Sequence, residues 1–188
     1  MNRQELDEVL ALHAAWKQKK PGGQCANLCF ADLSGLDLWG INLAGANLLG
    51  ADFSGSCLYR AILSETNLIG AKFWKADLSH ASLRWANLSN ANLTEAKLFG
   101  AALDVASLAK VDAVRVDLSH AVLSAANLYG ADLRKAKLVG AQLLSANLSW
   151  TILYEADLTN AQLLGAHTAN TRFELPDNEI ARKAMAAL

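Results

Sequence analysis

Four histidines (His13, His80, His120, His167) and three cysteines (Cys25, Cys29, Cys57) are the side chains here best suited to metal ligation or nucleophilic work. Cys25 and Cys29 stand four residues apart, but no second cysteine pair completes a ligand set, and an odd number of cysteines makes no disulfide framework. Such usage suits a reducing compartment. Carboxylates are plentiful, 18 Asp+Glu against 17 Lys+Arg, yet acid–base catalysis needs two of them converging in one pocket. No Gly-rich phosphate-cradling motif is present. Whether His80 and His120 could share a ligand depends on the elements that carry them.

Those elements must be built from an unusual composition. Ala contributes 35 and Leu 34 of the 188 residues, apolar types make up 53%, and the formal net charge is −1. That balance excludes a disordered chain and a polycationic nucleic-acid binder. No apolar run of about 18 residues exists to span a membrane, and the charged first twenty residues lack the apolar core of a secretory signal. A cytoplasmic location is the default expectation.

Ala and Leu favour helices by propensity, but spacing decides. Residues 26–175 parse without insertion into thirty pentapeptides, each with a small residue two positions before a central Leu or Phe. Twenty-two of the thirty small positions are Ala and twenty-five centres are Leu, with Phe53, Phe73 and Phe173 making three more. On an α-helix a step of five turns about 500° and smears the Leu around the axis, while on a flat strand an odd step flips faces. A bend is therefore needed once per repeat. The small residue and the centre point inward, the residue between them points outward, and the last two turn the corner. Such a coil cannot bury its apolar face alone, so it must stack.

The outward residue before each centre gives the number of sides. Asp occupies it at 32, 37, 52, 77, 112, 117, 132 and 157, in only two of the four classes modulo twenty, and six of its eight Asn fall in one class. Four sides per coil explain this, since residues twenty apart then stack in one column at about 4.8 Å. Seven and a half coils make a rod roughly 35 Å long. His80 and His120 would share a column two coils apart, about 9.6 Å, too far for joint metal ligation. No catalytic, cofactor or metal site is expected, and no enzymatic activity.

Ala46-Asn47-Leu48, Ala51-Asp52-Phe53, Ala76-Asp77-Leu78, Ala86-Asn87-Leu88, Ala131-Asp132-Leu133 and Ala156-Asp157-Leu158 resemble the A(D/N)LXX motif of bacterial pentapeptide-repeat proteins. The resemblance covers 150 residues. It implies an all-β solenoid, a right-handed quadrilateral parallel β-helix. It also implies, as an alternative function, a DNA-mimicking modulator or protector of DNA gyrase or another type II topoisomerase. Gyrase-protecting members of the family are usually strongly acidic and often carry loops that interrupt the helix; this chain is charge-balanced and uninterrupted.

Both ends carry cap signals. Asn2 and Glu5 resemble a capping box, and Leu6, Val9, Leu10, His13 and Trp16 recur at helical spacing, so residues 3–19 are expected to lie as an amphipathic helix over the first coil, with 1–25 as cap and linker. Residues 176–188 are expected to form a short C-terminal helix, either a second cap or a homodimer contact.

Three outward columns are informative. The ladder Asn27, Asn47, Asn67, Asn87, Ser107, Asn127, Asn147, His167 is expected to bond amide to amide. The ladder Asp37, Cys57, Asp77, Lys97, Asp117, Lys137, Asp157 is expected to compensate its own charge, while Asp32 and Asp52 leave a weak acidic patch. The fourth face is apolar, with Ile62, Ala102, Val122, Leu144, Leu164, Val105, Ala125 and Trp85, and Trp39, Tyr59, Phe99 and Val139 around the corner. Trp39, Tyr59, Ile62, Trp85, Phe99, Val122, Leu144 and Leu164 are the candidate interaction residues. Two readings stay open: aromatics stacking along the rod, or a surface for a protein partner or self-association. Direct nucleic-acid binding is not expected, because basic residues alternate with acidic ones.

Overall fold

The computed structural model describes residues 3–173, so the expected C-terminal helix lies outside the described residues. Helix α1 spans Arg3–Lys17. It stops two residues short of the expected end because Lys19 turns left-handed, at φ 54°. There Lys20 N–H donates to the Ala15 carbonyl and Lys19 N–H to the Trp16 carbonyl, both at 2.9 Å. This paired closure ties up the last helical carbonyls.

From Asn27 to Arg172 every β-bridge is parallel and joins residues twenty apart, beginning with Asn27↔Asn47, Asp32↔Asp52, Asp37↔Cys57 and Asn42↔Ile62. One coil therefore consumes four pentapeptides. The outward residue of each pentapeptide forms the bridge, and the columns take their names below from Asn27, Asp32, Asp37 and Asn42. The bridges are single residues rather than long strands because each side bends after one pairing.

The bend has a fixed chemistry. The carbonyl of nearly every centre accepts from the N–H three residues on, as in Leu48 to Ala51 at 3.1 Å, and the residue before that donor has positive φ, as in Gly50 at 63°. That combination is the signature of a type II turn. The Asn or Asp before the centre braces the corner. Of the sixteen, all but Asn47 accept the backbone N–H two residues on through Oδ1, at 2.9 to 3.4 Å.

The core is the inward pair of each repeat. The Leu centres from 28 to 163 and nearly all the Ala two positions before them are buried, while Phe53 and Phe73 stack with ring centroids 5.1 Å apart and planes 3° from parallel. Where Ala113 replaces a centre, Val111 and Val116 beside it are buried and fill the wall.

The first coil would expose an open β edge, a template for unwanted pairing. Helix α1 covers part of it. Leu6 and His13 are buried, Gln24 N–H donates to the Leu12 carbonyl at 3.1 Å, and Ala26 N–H donates to His13 Nδ1 at 3.1 Å.

A candidate contact face on the side of the rod

Each possible chemical centre has a structural position. His80 and His120 do share a corner column, but Phe99 stands between them, edge-on at 5.6 and 5.4 Å, with Tyr59 meeting His80 at 5.5 Å. The imidazoles are links in an aromatic column. Each also lies over a glycine of the next coil, His80 over Gly100 and His120 over Gly140. The three cysteines are free thiols. Cys25 donates to the Gly45 carbonyl at 3.3 Å and lines a shallow recess under α1 with Val9, Leu12 and Gln24. Among the described residues no group of three or more His, Cys, Asp or Glu could hold a metal ion. Nor is any described helix long and apolar enough to cross a membrane.

Charge is arranged differently from the sequence expectation. Among the described residues, no ion pair joins Lys97 or Lys137 to the aspartates of the Asp37 column. The pairs lie on other columns: Lys72–Asp52 at 3.3 Å, Arg134–Asp132 at 2.7 Å, Arg84–Asp104 at 3.0 Å, and the corner chains Lys75–Glu95–Arg115 and Lys135–Glu155. Most of these cations reach the next coil within their own column, so charge alternates down the corner ladder of Lys75, Glu95, Arg115, Lys135 and Glu155 rather than down the Asp37 column. Asp52, expected to be uncompensated, is bound by Lys72. Hydrogen bonds from Ser34, Ser54 and Thr159 hold the carboxyls of Asp32, Asp52 and Asp157 below the usual carboxylate range. The Asn27 ladder bonds amide to amide at Asn67–Asn47 (3.0 Å) and Asn147–Asn127 (3.2 Å). Its Oδ1 atoms serve chiefly as corner braces.

The Asn42 column, running Asn42, Ile62, Ser82, Ala102, Val122, Gln142, Gln162, has no ionisable residue. It is flanked by two corners. One carries Trp39, Tyr59, Phe99 and Val139; the other carries Trp85, Val105, Ala125, Leu144 and Leu164. Trp39 (62%), Trp85 (58%) and Leu164 (66%) are exposed, as are Ile62, Phe99 and Val105, whereas Tyr59, Val122 and Leu144 are half-buried. The fold thus brings all eight candidate interaction residues to one side of the rod and its two edges. Exposed Phe30, Trp74, Tyr129, Trp150 and Tyr154 sit on the other two corners and escaped the sequence analysis. The corner positions of the period could have located them.

A stacked solenoid with an uncharged side bordered by exposed aromatics defines a repeat protein whose surface, rather than any pocket, is its feature of interest. The model for pentapeptide repeats matches residues 24–60, 61–100, 103–140 and 141–174, and the chain belongs to that family. Among solved structures it is similar to HetL, a pentapeptide repeat protein involved in heterocyst differentiation regulation in the cyanobacterium Nostoc sp. strain PCC 7120. Identity is 27% over 96% of this chain and 99% of that one, with a TM-score of 0.33. It is also similar to full-length QnrB1, a plasmid-mediated fluoroquinolone resistance protein, at 19% identity over 85% of each chain and a TM-score of 0.46. A third is a pentapeptide repeat protein of the Arabidopsis thaliana thylakoid lumen, at 26% identity over 78% of this chain and 73% of that one, with a TM-score of 0.26. No curated protein sequence matches this chain.

Proposed function

We propose that the chain is a non-enzymatic interaction module, a right-handed quadrilateral β-helix that meets a protein partner through the Asn42 face and its two corners. The observation that carries this reading is the pair Trp85 and Val105. Both occupy left-handed corner positions, at φ 56° and 58°, and both are exposed. Gly fills such positions without strain, and a β-branched residue is the least suited of all. Neither side chain recovers that cost by burial within the chain. A partner that covers them would.

The runner-up from the family resemblance, modulation of a type II topoisomerase by mimicking DNA, needs a continuous row of uncompensated negative charge. Asp52, Glu95, Asp104, Asp132 and Glu155 are each ion-paired, which counts against it. The test places a photo-crosslinking residue at Val105 and, as control, at Lys135 on the opposite corner, in the native cells. A discrete adduct at position 105 and none at 135 supports the reading; equal or absent labelling overturns it. Inhibition or protection in a gyrase supercoiling assay at micromolar protein would restore the runner-up.

A further inference from the structure

The Asn42 face carries an order of large and small residues that reads as its own complement when reversed. We infer that the face binds a second copy of this chain, the two rods antiparallel, about a two-fold axis crossing at Ala102. This rests on the contact-face reading and names its occupant.

The columns fix the geometry. A two-fold axis lying across the face at Ala102 sets Ile62 opposite Gln142 and Ser82 opposite Val122, because residues twenty apart are successive rungs. On one corner Tyr59 then meets Val139, Trp39 meets Thr159, and Phe99 meets its own copy. On the other corner Trp85 meets Ala125. Leu144 and Leu164 of one rod meet Ser64 and Ala44 of its partner. Most bulky corner residues therefore face a small or medium one; the exceptions are His80, which meets His120, and the axis itself, where Phe99 and Val105 meet themselves beside the small Ala102. Shape matching of this kind is what interface cores require.

Charge permits the same arrangement. The central column is uncharged, and the net charge of −1 gives two copies no long-range repulsion. Asp104 meets its copy, but each carboxylate is already held by its own Arg84 at 3.0 Å. Six steps of about 4.8 Å give a face roughly 30 Å long, and with both corners roughly 20 Å wide. That is about 600 Å² per copy, the low end of what specific dimers bury. With both rods parallel, Tyr59 would instead lie against Glu65, desolvating a carboxylate against a ring.

Sedimentation or light scattering at micromolar to millimolar protein is expected to show a mass rising to twice 20.1 kDa. Trp85→Ala is expected to weaken the dimer at least tenfold, Ala125→Trp likewise, and the double variant to recover it, since the swap recreates the same contact with the partners exchanged. In a background where Cys25, Cys29 and Cys57 are serine, Ala102→Cys is expected to form an intermolecular disulfide. Asn42→Cys, about 29 Å from its copy, is not. Trp85→Gly, which relieves a left-handed φ and so keeps the fold, guards against misfolding as the cause and is expected to lower dimerisation too. A strictly monomeric mass overturns the pairing, as does failure of the swap to rescue, while a disulfide at both cysteine positions overturns the antiparallel order. A monomer that still gives the Val105 adduct with a different protein refutes the second copy and leaves the contact face standing.

Discussion

The Nδ1 atom of His13 accepts the backbone N–H of Ala26 at 3.1 Å, pinning helix α1 to the first rung of the solenoid. To accept, Nδ1 must carry no proton, so the ring is neutral with its proton on Nε2, which is buried without a hydrogen-bond partner.

This contact makes the cap sensitive to acid. Burial, then the charge of Lys17, lowers the His13 pKa from 6.5, against a smaller opposing effect of the Ala44 carbonyl. A lowered folded-state pKa means that the unfolded chain binds more protons below 6.5. The stabilisation is therefore complete above 6.5 and is lost progressively as pH falls below it. Asp32, Asp52 and Asp157 act at lower pH: their stabilisation is present above 3.8 and disappears as pH falls further. The protection of the Ala26 amide, taken relative to its intrinsic exchange rate, is expected to fall between pH 7 and pH 5 before that of Leu88 in the core. His13→Leu is expected to abolish the pH dependence of this step while costing about 1–3 kcal/mol through the unsatisfied Ala26 N–H. Equal loss of protection at both amides would refute a local latch.

Val105 illustrates a cost the fold carries for its surface. At φ 58° it is β-branched in the left-handed region, so Val105→Gly is expected to raise thermal stability by about 1 kcal/mol. The same change removes an exposed methyl pair from the proposed contact face. Unfolding in denaturant reads the first effect, and crosslinking or mass measurement reads the second. A destabilised Val105→Gly would mean that the side chain is held by contacts within the chain.

Gly100 and His80 form a pair across one rung. A Cβ at Gly100 would stand 2.8 Å from His80 Nδ1, and the backbone there has φ 62°. Gly100→Ala is expected to cost about 1–2 kcal/mol from conformation, plus displacement of the imidazole from between Tyr59 and Phe99. In a His80→Ala background the steric part vanishes, so the double-mutant cycle should show a coupling of at least ~0.5 kcal/mol. Additive losses would mean that the ring moves aside freely.

The period of five was sufficient to place the core, because inward Leu28 and outward Asn27 differ in burial at every repeat. The modulo-twenty classes then located the bridges. The placement of Ile62, Val122 and the corner residue Trp85 on one side of the rod followed for the same reason, being fixed by arithmetic alone. What the arithmetic could not reach was side-chain direction. Lys97 lies between Asp77 and Asp117 in its column, yet the observed pairs follow the reach of Lys75, Arg84 and Lys135 toward the next coil. The corner-bracing role of Asn and Asp was hidden as well. A column of amides suggests ladder bonds, whereas a backbone N–H two residues away is nearer and already oriented. His13, visible only as one apolar-face position of a helix, became informative once the N–H of Ala26 was found beneath it.

Ala113 tests how tightly the interior is filled. Its neighbours along the column, Leu93 and Leu133, are fully buried, and Val111 and Val116 of its own coil occupy places that Ala holds in most others. The turns around it are looser: Val111 N–H reaches the Leu108 carbonyl at 3.4 Å and Val116 N–H reaches Ala113 at 3.2 Å, against 2.9 Å at Ala91. The added methyls take up interior volume that a Leu at 113 would need. Ala113→Leu is therefore expected to destabilise by about 1–3 kcal/mol through overpacking. With Val111 and Val116 both replaced by Ala, the same substitution should instead stabilise, because the coil then matches its neighbours. Chemical denaturation of the four proteins measures the sign in each background. Stabilisation by Ala113→Leu alone would mean that a void remains beside Ala113, and the two valines would need another explanation.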